Sequence, residues 1–432
     1  MASIIEPRVL KGFRDFLPPA EIKRKEIQRI LEGTFENFGF VPIDTPALEY
    51  RDVLLGKGGG ETDKQVYAFQ DNGGRDVSLR FDLTVPFARF LAAHRNELYL
   101  PFKRYHIAKV WRGENTQKGR YREFTQCDFD IVGPDSASAD FEIIFMMYTS
   151  MKALGVENFI IHISHRGIFN AFLEHNDLKG ANVEILRAVD KIAKIGADEV
   201  KKILEPVTGG EMADKILDFI KAETNWQDTL KKLTELVGGE NEHTLRMESL
   251  FKLATETGIS EALYFDPSIT RGLDYYTGVV YETFLKDIPR IGSVCSGGRY
   301  NNLAGLYTKE ELPGVGSSIG LDRLIAALEE LDMLSTKESL SRVLILNMDD
   351  SLMGYYFSMA SKLREKNIST ELYLEKKKLK NQFSFAEKKN IPFALICGED
   401  EYKNGTVNIK NLTTRESFNN IGFDEAIKLI QA

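Results

Sequence analysis

Arg112-Gly-Glu-Asn-Thr-Gln-Lys-Gly-Arg-Tyr-Arg-Glu-Phe-Thr-Gln-Cys-Asp-Phe-Asp130 is the most informative stretch of this 432-residue chain. Arg112, Lys118, Arg120 and Arg122 gather around two glycines, and a strand-like segment follows. Guanidinium forks match phosphate oxygens and stay charged at any working pH. An exposed basic hairpin would explain these cations equally well if they stood alone. The strand tips the balance. At period two, Gln126, Asp128 and Asp130 point to one face. Carboxylates and an amide bounded by Phe124, Phe129 and Ile131 are unusual core residues unless something pairs with them. The stretch therefore predicts a polyanion-gripping turn that runs into a polar cavity.

Working upstream, Arg80-Phe-Asp-Leu-Thr-Val-Pro86 reads as the end of a strand, which puts Asp82 and Thr84 on one face. A carboxylate with a hydroxyl two residues away suits an ammonium group. The competing reading is a turn before Pro86, with these side chains bonding local backbone. Downstream, Arg271-Gly-Leu-Asp-Tyr-Tyr276 sets a cation beside two phenols. Ser296-Gly-Gly-Arg-Tyr300 adds a second Arg-Tyr pair, in which the glycines would let a ligand approach closely. Arg323 falls in the first turn of a helix beginning near Gly320. An arginine there gains nothing from the helix dipole, so its position suggests a phosphate partner. His106 and His162 lie in apolar strand contexts and read as structural, and the six histidines show no metal-ligand spacing.

The rest of the chain organises around these segments. Residues 21–37 carry Ile22, Ile27, Ile30, Leu31 and Phe35 near helical period, with Gly39 as the stop. An extended piece, 40–48, and a glycine-rich loop, 56–60, follow. Strands are expected in 64–84 and 100–133, with Asn72-Gly-Gly74 as a hairpin turn. Residues 137–154 read as a helix and 159–164 as a strand, with Ser164 or His165 capping the next helix. From 176 to 262 strand signals vanish, which predicts a helical insertion. Strand chemistry returns at 263–300, and Leu321, Leu324, Ile325 and Leu328 mark a helix with one buried face. A polar linker, 329–341, precedes a restart in β-α-β-α-β order: 343–347, 352–366, 369–374, 379–389 and 393–397.

Composition narrows the class. Apolar content of 43% and charged content of 28% fit a globular protein of two or three domains. No apolar run approaches the ~18 residues of a membrane helix. The N-terminus has no basic lead into an apolar stretch, so no secretory signal is expected. Cys127, Cys295 and Cys397 are scattered, which points to a reducing, cytoplasmic setting rather than a disulfide framework. The net charge of −8 is uneven. Residues 341–432 hold 14 Lys and Arg against 12 Asp and Glu, so any RNA contact rests on local basic patches.

Together these segments resemble the histidyl-tRNA synthetase family of class II aminoacyl-tRNA synthetases over nearly the whole chain. The likeness begins at Lys11-Gly-Phe-Arg-Asp-Phe-Leu-Pro18 and includes a first motif ending near Pro46. It continues through 102–133 and 314–328, and is most specific at 271–276 and 296–300. The wording around Asp130 resembles the eukaryotic and archaeal branch. The resemblance implies an α+β (mixed α/β) fold. Residues 1–328 would form an antiparallel-sheet catalytic domain with its helical insertion at about 176–262. Residues 342–432 would form a small α/β anticodon-binding domain. Asp82, Thr84 and Gln126 would meet the amino group of L-histidine, with Leu83, Arg112 and Arg271 also at the histidine site. Asp130 and Tyr276 would bond its ring, with Tyr275 and Tyr300 shaping the pocket. Arg112, Glu114, Arg120, Tyr121 and Arg323 would hold ATP, and Arg271 with Arg112 would stabilise charge at the α-phosphate. Mg²⁺ would accompany ATP, with no dedicated protein metal site. The partners implied are tRNA(His) and a second copy of the chain, with no DNA and no membrane. A non-catalytic paralogue with a regulatory role, such as the regulatory subunit of ATP phosphoribosyltransferase, is the alternative.

Overall fold

The two longest strands, paired over their full ten residues, set the architecture. The computed structural model describes residues 4–56, 65–269, 276–334 and 337–431. They divide into two compact units, Met1–Arg14 with Ile27–Met333, and Asp15–Glu26 with Leu334–Ala432. The division after Met333 falls within the polar linker. Residues 15–26 group with the second unit, a feature absent from the linear domain reading.

In chain order the first elements are α1 (Pro18–Asn37), β1 (Val41–Pro42), β2 (Leu48–Tyr50), α2 (Arg51–Leu55), β3 (Ala68–Gln70) and β4 (Asp76–Leu79). Next come α3 (Thr84–Ala93), β5 (Phe102–Trp111), β6 (Glu123–Val132), α4 (Ala137–Ala153), β7 (Phe159–His165) and α5 (Arg166–His175). Six helices without a strand follow: α6 (Asn182–Val189), α7 (Ile192–Ile195), α8 (Ala197–Thr208), α9 (Gly210–Phe219), α10 (Trp226–Leu236) and α11 (Glu242–Glu256). Then β8 (Leu263–Phe265), β9 (Val279–Leu285), β10 (Cys295–Arg299), β11 (Gly314–Gly320) and α12 (Leu321–Glu330) complete the first unit.

The main sheet runs β1-β5-β6-β11-β10-β9-β7-β8, antiparallel except for parallel pairs at its two edges. An antiparallel sheet can bury one face and leave the other for function. Here β5 and β6 present Tyr105 and Phe129 to Phe35 of α1, with ring centroids 5.6 and 5.0 Å apart. The opposite parity of β6 carries Gln126, Asp128 and Asp130. Gly39 (φ +78°) ends α1, and the His165 ring accepts from the Gly167 N–H to cap α5, as expected.

One local reading is corrected. Asp82 and Thr84 do not share a strand face. Thr84 opens α3, and one Asp82 oxygen accepts from the Val85 N–H at 3.0 Å. The turn reading is the one that holds. Helix α3 buries Val85, Pro86, Phe87, Ala88 and Leu91, so it shows no polar stripe by which a helix would be noticed.

The second unit contains β12 (Val343–Ile345), α13 (Met353–Glu365), β13 (Thr370–Leu372), α14 (Leu379–Lys388), β14 (Phe393–Ile396), α15 (Glu399–Asn404), β15 (Thr406–Asn411), β16 (Ser417–Gly422) and α16 (Phe423–Gln431). Its sheet order is β13-β12-β14-β15-β16, parallel for the first three strands and antiparallel beyond. Tyr356, Met359 and Leu363 of α13 and Ala426 and Ile430 of α16 pack into one apolar cluster. Tyr373, Phe383 and Phe385 are half-buried against another, around Leu344, Ala386 and Ala394. Lys389 pairs with Glu371 at 2.6 Å and Lys377 with Glu375 at 2.7 Å, so part of the basic run is neutralised locally.

Candidate active site

The open face of the main sheet is built from small residues where four strands meet. Along β6, Gln126, Asp128 and Asp130 lie opposite Gly320, Ser318 and Gly316 of β11. Beyond these come Ser296 and Gly298 of β10, then Glu282 and Val280 of β9. Large side chains would fill this space. The glycines, however, serve the protein's own groups. A Cβ on Gly316 would lie 2.0 Å from Asp130 Oδ1, one on Gly298 2.9 Å from the Tyr276 ring, and one on Gly314 2.3 Å from the Tyr300 ring. Of the glycines in 296–300, Gly298 makes room for the Tyr276 ring, while Gly297 lets the β11 backbone at Gly316 and Ser317 come close and itself lines the cavity described next. The reading of Arg299 is corrected. It is buried, turned away, and held by Asp140 through Nε at 2.7 Å.

A cavity of about 160 Å³ sits on this floor. Asp82, Thr84, Arg112, Gln126, Asp130, Tyr276 and Tyr300 all line it, together with Asp128, Tyr281, Glu282, Ser296 and Ser318. Leu83 is fully buried and is not part of the wall. Arg271 and Tyr275 lie outside the described residues. Asp130 is held from two sides. Arg104 Nη2 is 2.7 Å from its Oδ2, and the Tyr300 hydroxyl donates to Oδ1 at 2.5 Å. Burial pushes the Asp130 carboxyl above the ordinary range, against the pull of Arg104 and the Tyr300 hydrogen bond. Burial also raises Asp128, up to about 7. Two carboxyls in a dry wall, only partly compensated, are poised for a ligand carrying N–H groups or positive charge.

A second cavity, also about 160 Å³, adjoins the first and shares Arg112, Gln126, Ser296 and Ser318 with it. It is lined further by Glu114, Gly119, Arg120, Tyr121, Phe124, Ser293, Gly320, Asp322 and Arg323. Arg112 is fixed by its Nε bond to the Phe81 carbonyl at 2.9 Å. Arg323 donates to the Ser293 carbonyl at 2.6 Å. Burial, with Arg120 and Arg112 nearby, lowers the Arg323 pKa, while Glu114 and Glu282 oppose that shift. Glu114 is 3.8 Å from Arg112 and 3.5 Å from Arg120. Three guanidiniums around one glutamate form a ready anion site. Lys118 and Arg122, also drawn from the opening stretch, do not join it. Lys118 pairs with Glu330 at 2.5 Å, and Arg122 packs under Gly12 and donates to the Glu114 carbonyl.

The histidines stand apart from both cavities. His106 bonds Asp44 at 3.0 Å and His162 bonds Asp266 at 2.7 Å. Among the described residues no group of three or more His, Cys, Asp or Glu converges for a metal ion.

The comparisons decide the family. The family model described as histidyl-tRNA synthetase matches residues 12–324. The chain belongs to the histidyl-tRNA synthetase family. A model described as an anticodon binding domain matches residues 342–432. A histidine–tRNA ligase from Treponema denticola is 51% identical, covering 100% of this chain and 99% of that protein. One from Rhodopirellula baltica is 45% identical, covering 99% of each. The crystal structure of a Nostoc histidyl-tRNA synthetase superposes with a TM-score of 0.89 at 32% identity over 99% of both chains. A Bacillus halodurans structure described as an ATP phosphoribosyltransferase regulatory subunit/histidyl-tRNA synthetase, at 24% identity and TM-score 0.75, shares the fold. The two relatives are bacterial, whereas the wording around Asp130 suggested another branch.

Arg104, Asp128, Tyr281 and Ser318 were not assigned roles from sequence. The strand parity of β6 had marked Asp128, and Arg104 stood out only as a cation in an apolar strand. Their partners depend on strand register, which no short-range pattern reveals.

Proposed function

We propose that the first cavity holds L-histidine, the second holds ATP, and the protein is a histidine–tRNA ligase. One observation carries this reading: an acid-lined cavity and an arginine-lined cavity share the wall formed by Arg112, Gln126, Ser296 and Ser318. In that arrangement an amino acid can present its carboxylate to a phosphate bound next door. Asp82, Thr84 and Gln126 would receive the α-ammonium group, and Asp130 and Tyr276 the imidazole nitrogens. Arg112, Arg120 and Arg323 would grip the phosphates, with Glu114 and Tyr121 toward the adenosine. Arg271 would stabilise charge on the α-phosphate, and Tyr275 would close the histidine pocket. The carboxylate oxygen attacks the α-phosphorus and pyrophosphate leaves. A ribose hydroxyl of the 3′-terminal adenosine of tRNA(His) then attacks the histidyl carbonyl and AMP leaves. Catalysis on this scheme is positioning plus fixed cations where negative charge develops. A pocket that bonds both ring nitrogens excludes amino acids lacking them, because its own polar groups would go unpaired.

Mg²⁺ would accompany the triphosphate and offset its charge, held largely by phosphate and water oxygens. Residues 342–432 would read the anticodon end of tRNA(His). A homodimer follows the family pattern. Exposed Ile30, Val41, Leu48 and Tyr50, all in the α1–β2 stretch, supply apolar surface for it. No helix among the described residues is long and apolar enough to cross a membrane, and we assign the protein to the cytoplasm.

The decisive assay is ATP–pyrophosphate exchange with each of the twenty amino acids in the presence of Mg²⁺. Exchange with histidine alone supports the reading, and folded protein inert with histidine sinks it, leaving the regulatory alternative.

A further inference from the structure

The Gln126 side chain can present either an oxygen or a nitrogen to the cavity, and the two choices have opposite consequences for a bound ammonium group. In the structure Gln126 Nε2 donates to Ser318 Oγ at 2.8 Å, and Oε1 takes no hydrogen bond among the described residues. Ser318 has one hydroxyl proton, and the acceptor facing it is Asp128, its direct cross-strand partner, whose carboxyl the Ser318 hydroxyl pulls down against the effect of burial. An ionised carboxylate, the form Asp128 takes above about pH 7 and the form the comparison below requires, only accepts. The chain of bonds therefore has one direction, Gln126 amide to Ser318 hydroxyl to Asp128 carboxylate. If the amide turned over, Gln126 Oε1 would face a hydroxyl whose proton is already committed. All three residues line the first cavity, and Asp128 is 2% exposed with one oxygen, Oδ1, lacking a partner among the described residues.

We propose that Asp128 is a positioning residue for the amino end of the substrate, acting through Ser318 to hold the Gln126 amide with its oxygen available to the ammonium group. The inference rests on the reading that Gln126 meets the α-ammonium of histidine. Asp128→Asn keeps size and shape but can donate to Ser318, which removes the direction of the chain.

The test compares histidinol with its deamino counterpart, 3-(imidazol-4-yl)propan-1-ol, as inhibitors of histidine-dependent pyrophosphate exchange. Asp128→Asn and Ser318→Ala should each weaken histidinol by about tenfold or more, the scale of a lost bond to a charged group. The deamino compound should change less than about twofold to threefold, within the scatter of such comparisons. In a Gln126→Glu background there is no amide to orient, so adding Asp128→Asn should cost little. Equal weakening of both compounds, or no change in either with the KM for ATP intact, overturns the proposal. Full loss retained in the Gln126→Glu background overturns it in favour of direct contact between Asp128 and the ligand. Gln126→Ala separates the two layers. If it shows no amino-selective loss, the assignment of Gln126 itself fails. If it does and Asp128→Asn is neutral, only the positioning role fails.

Discussion

Replacing Tyr300 by Phe removes one oxygen atom from the wall of the proposed histidine pocket and leaves the ring over Gly314 in place. The lost hydroxyl donates to Asp130 Oδ1 at 2.5 Å, and both residues are buried. Burial drives the Tyr300 phenol well above its usual pKa, so it stays a donor at any working pH. A hydrogen bond to a charged group contributes about 1.5–3 kcal/mol, or roughly ten- to a hundredfold in an equilibrium. Arg104, at 2.7 Å, remains as the other support of the anion. The Asp130 carboxyl, already raised by burial, should therefore rise further in the variant. If ionised Asp130 is needed to accept an imidazole N–H, the KM for histidine in pyrophosphate exchange should rise about ten- to a hundredfold near neutral pH. The KM for ATP should hold. The two consequences separate with pH. The hydrogen bond stabilises only the ionised form, so its contribution to folding is present above the Asp130 pKa and fades as pH falls through it. Raising the pH should restore histidine binding, because the variant ionises again, while the stability deficit persists. Exchange kinetics across a pH series, with urea unfolding at its two ends, measure both effects. A KM defect of the same size at every pH would show that Tyr300 acts by shape alone and would refute the argument.

Asp128→Asn should make the protein more stable above neutral pH. The folded-state pKa is raised from 3.8 to about 7, so the charged form costs stability above that range, of order 2–4 kcal/mol, and the cost disappears toward pH 4. Urea unfolding at low and high pH tests it, and a variant less stable than the parent at high pH would contradict the burial account. Gly316→Ala places a methyl 2.0 Å from Asp130 Oδ1 and 2.8 Å from the Phe129 carbonyl. It should cost about 1–3 kcal/mol of stability and at least tenfold in histidine KM, because the carboxylate must move. Normal kinetics would mean the carboxylate has slack that the structure does not suggest. Arg299→Ala removes one of two arginines that hold the enclosed Asp140, Arg299 Nη2 at 2.6 Å from Oδ1, and leaves Arg246 Nε at 2.6 Å from Oδ2. Loss of about 1.5–3 kcal/mol is expected, the scale of a lost bond to a charged group. The kcat of the folded fraction should survive, and a specific collapse of kcat in well-folded protein would return Arg299 to the catalytic machinery.

Much of the site was legible because one strand carries it. Strand parity alone put Gln126, Asp128 and Asp130 on one face, and the structure keeps them there. The arginines of the preceding turn were half legible. Nothing local distinguishes Arg112 and Arg120, which line the second cavity, from Lys118 and Arg122, which find partners elsewhere. Asp82 and Thr84 line the first cavity, but from a turn and the start of α3 rather than from a strand. Helix α3 is buried so thoroughly that its sequence shows no amphipathic period, and Pro86 reads more readily as the end of a strand than as the first turn of a helix. Strand β16 is hard to read because, mostly exposed, it has little apolar alternation, whereas α16 buries Ala426, Ile427 and Ile430 at helical spacing and is legible in principle.

What remained hidden is register, and register makes the pocket. Asp130 pairs across β5 with Arg104 and across β11 with Gly316. The first partner supplies the countercharge that an enclosed carboxylate needs, and the second supplies the empty volume in which that carboxylate sits. Slide β11 by one residue and Val315 or Ser317 faces Asp130 instead. Because side chains alternate, such a slip would also send Ser318 to the other face and break its link to Gln126 and Asp128. The alternation Gly316, Ser318, Gly320 against Asp130, Asp128, Gln126 therefore works as a matched set. Substitutions along β11 should be judged by the β6 residue each one faces. On the proposed binding mode, a methyl at 316 and a lost hydroxyl at 318 should damage opposite ends of the bound histidine.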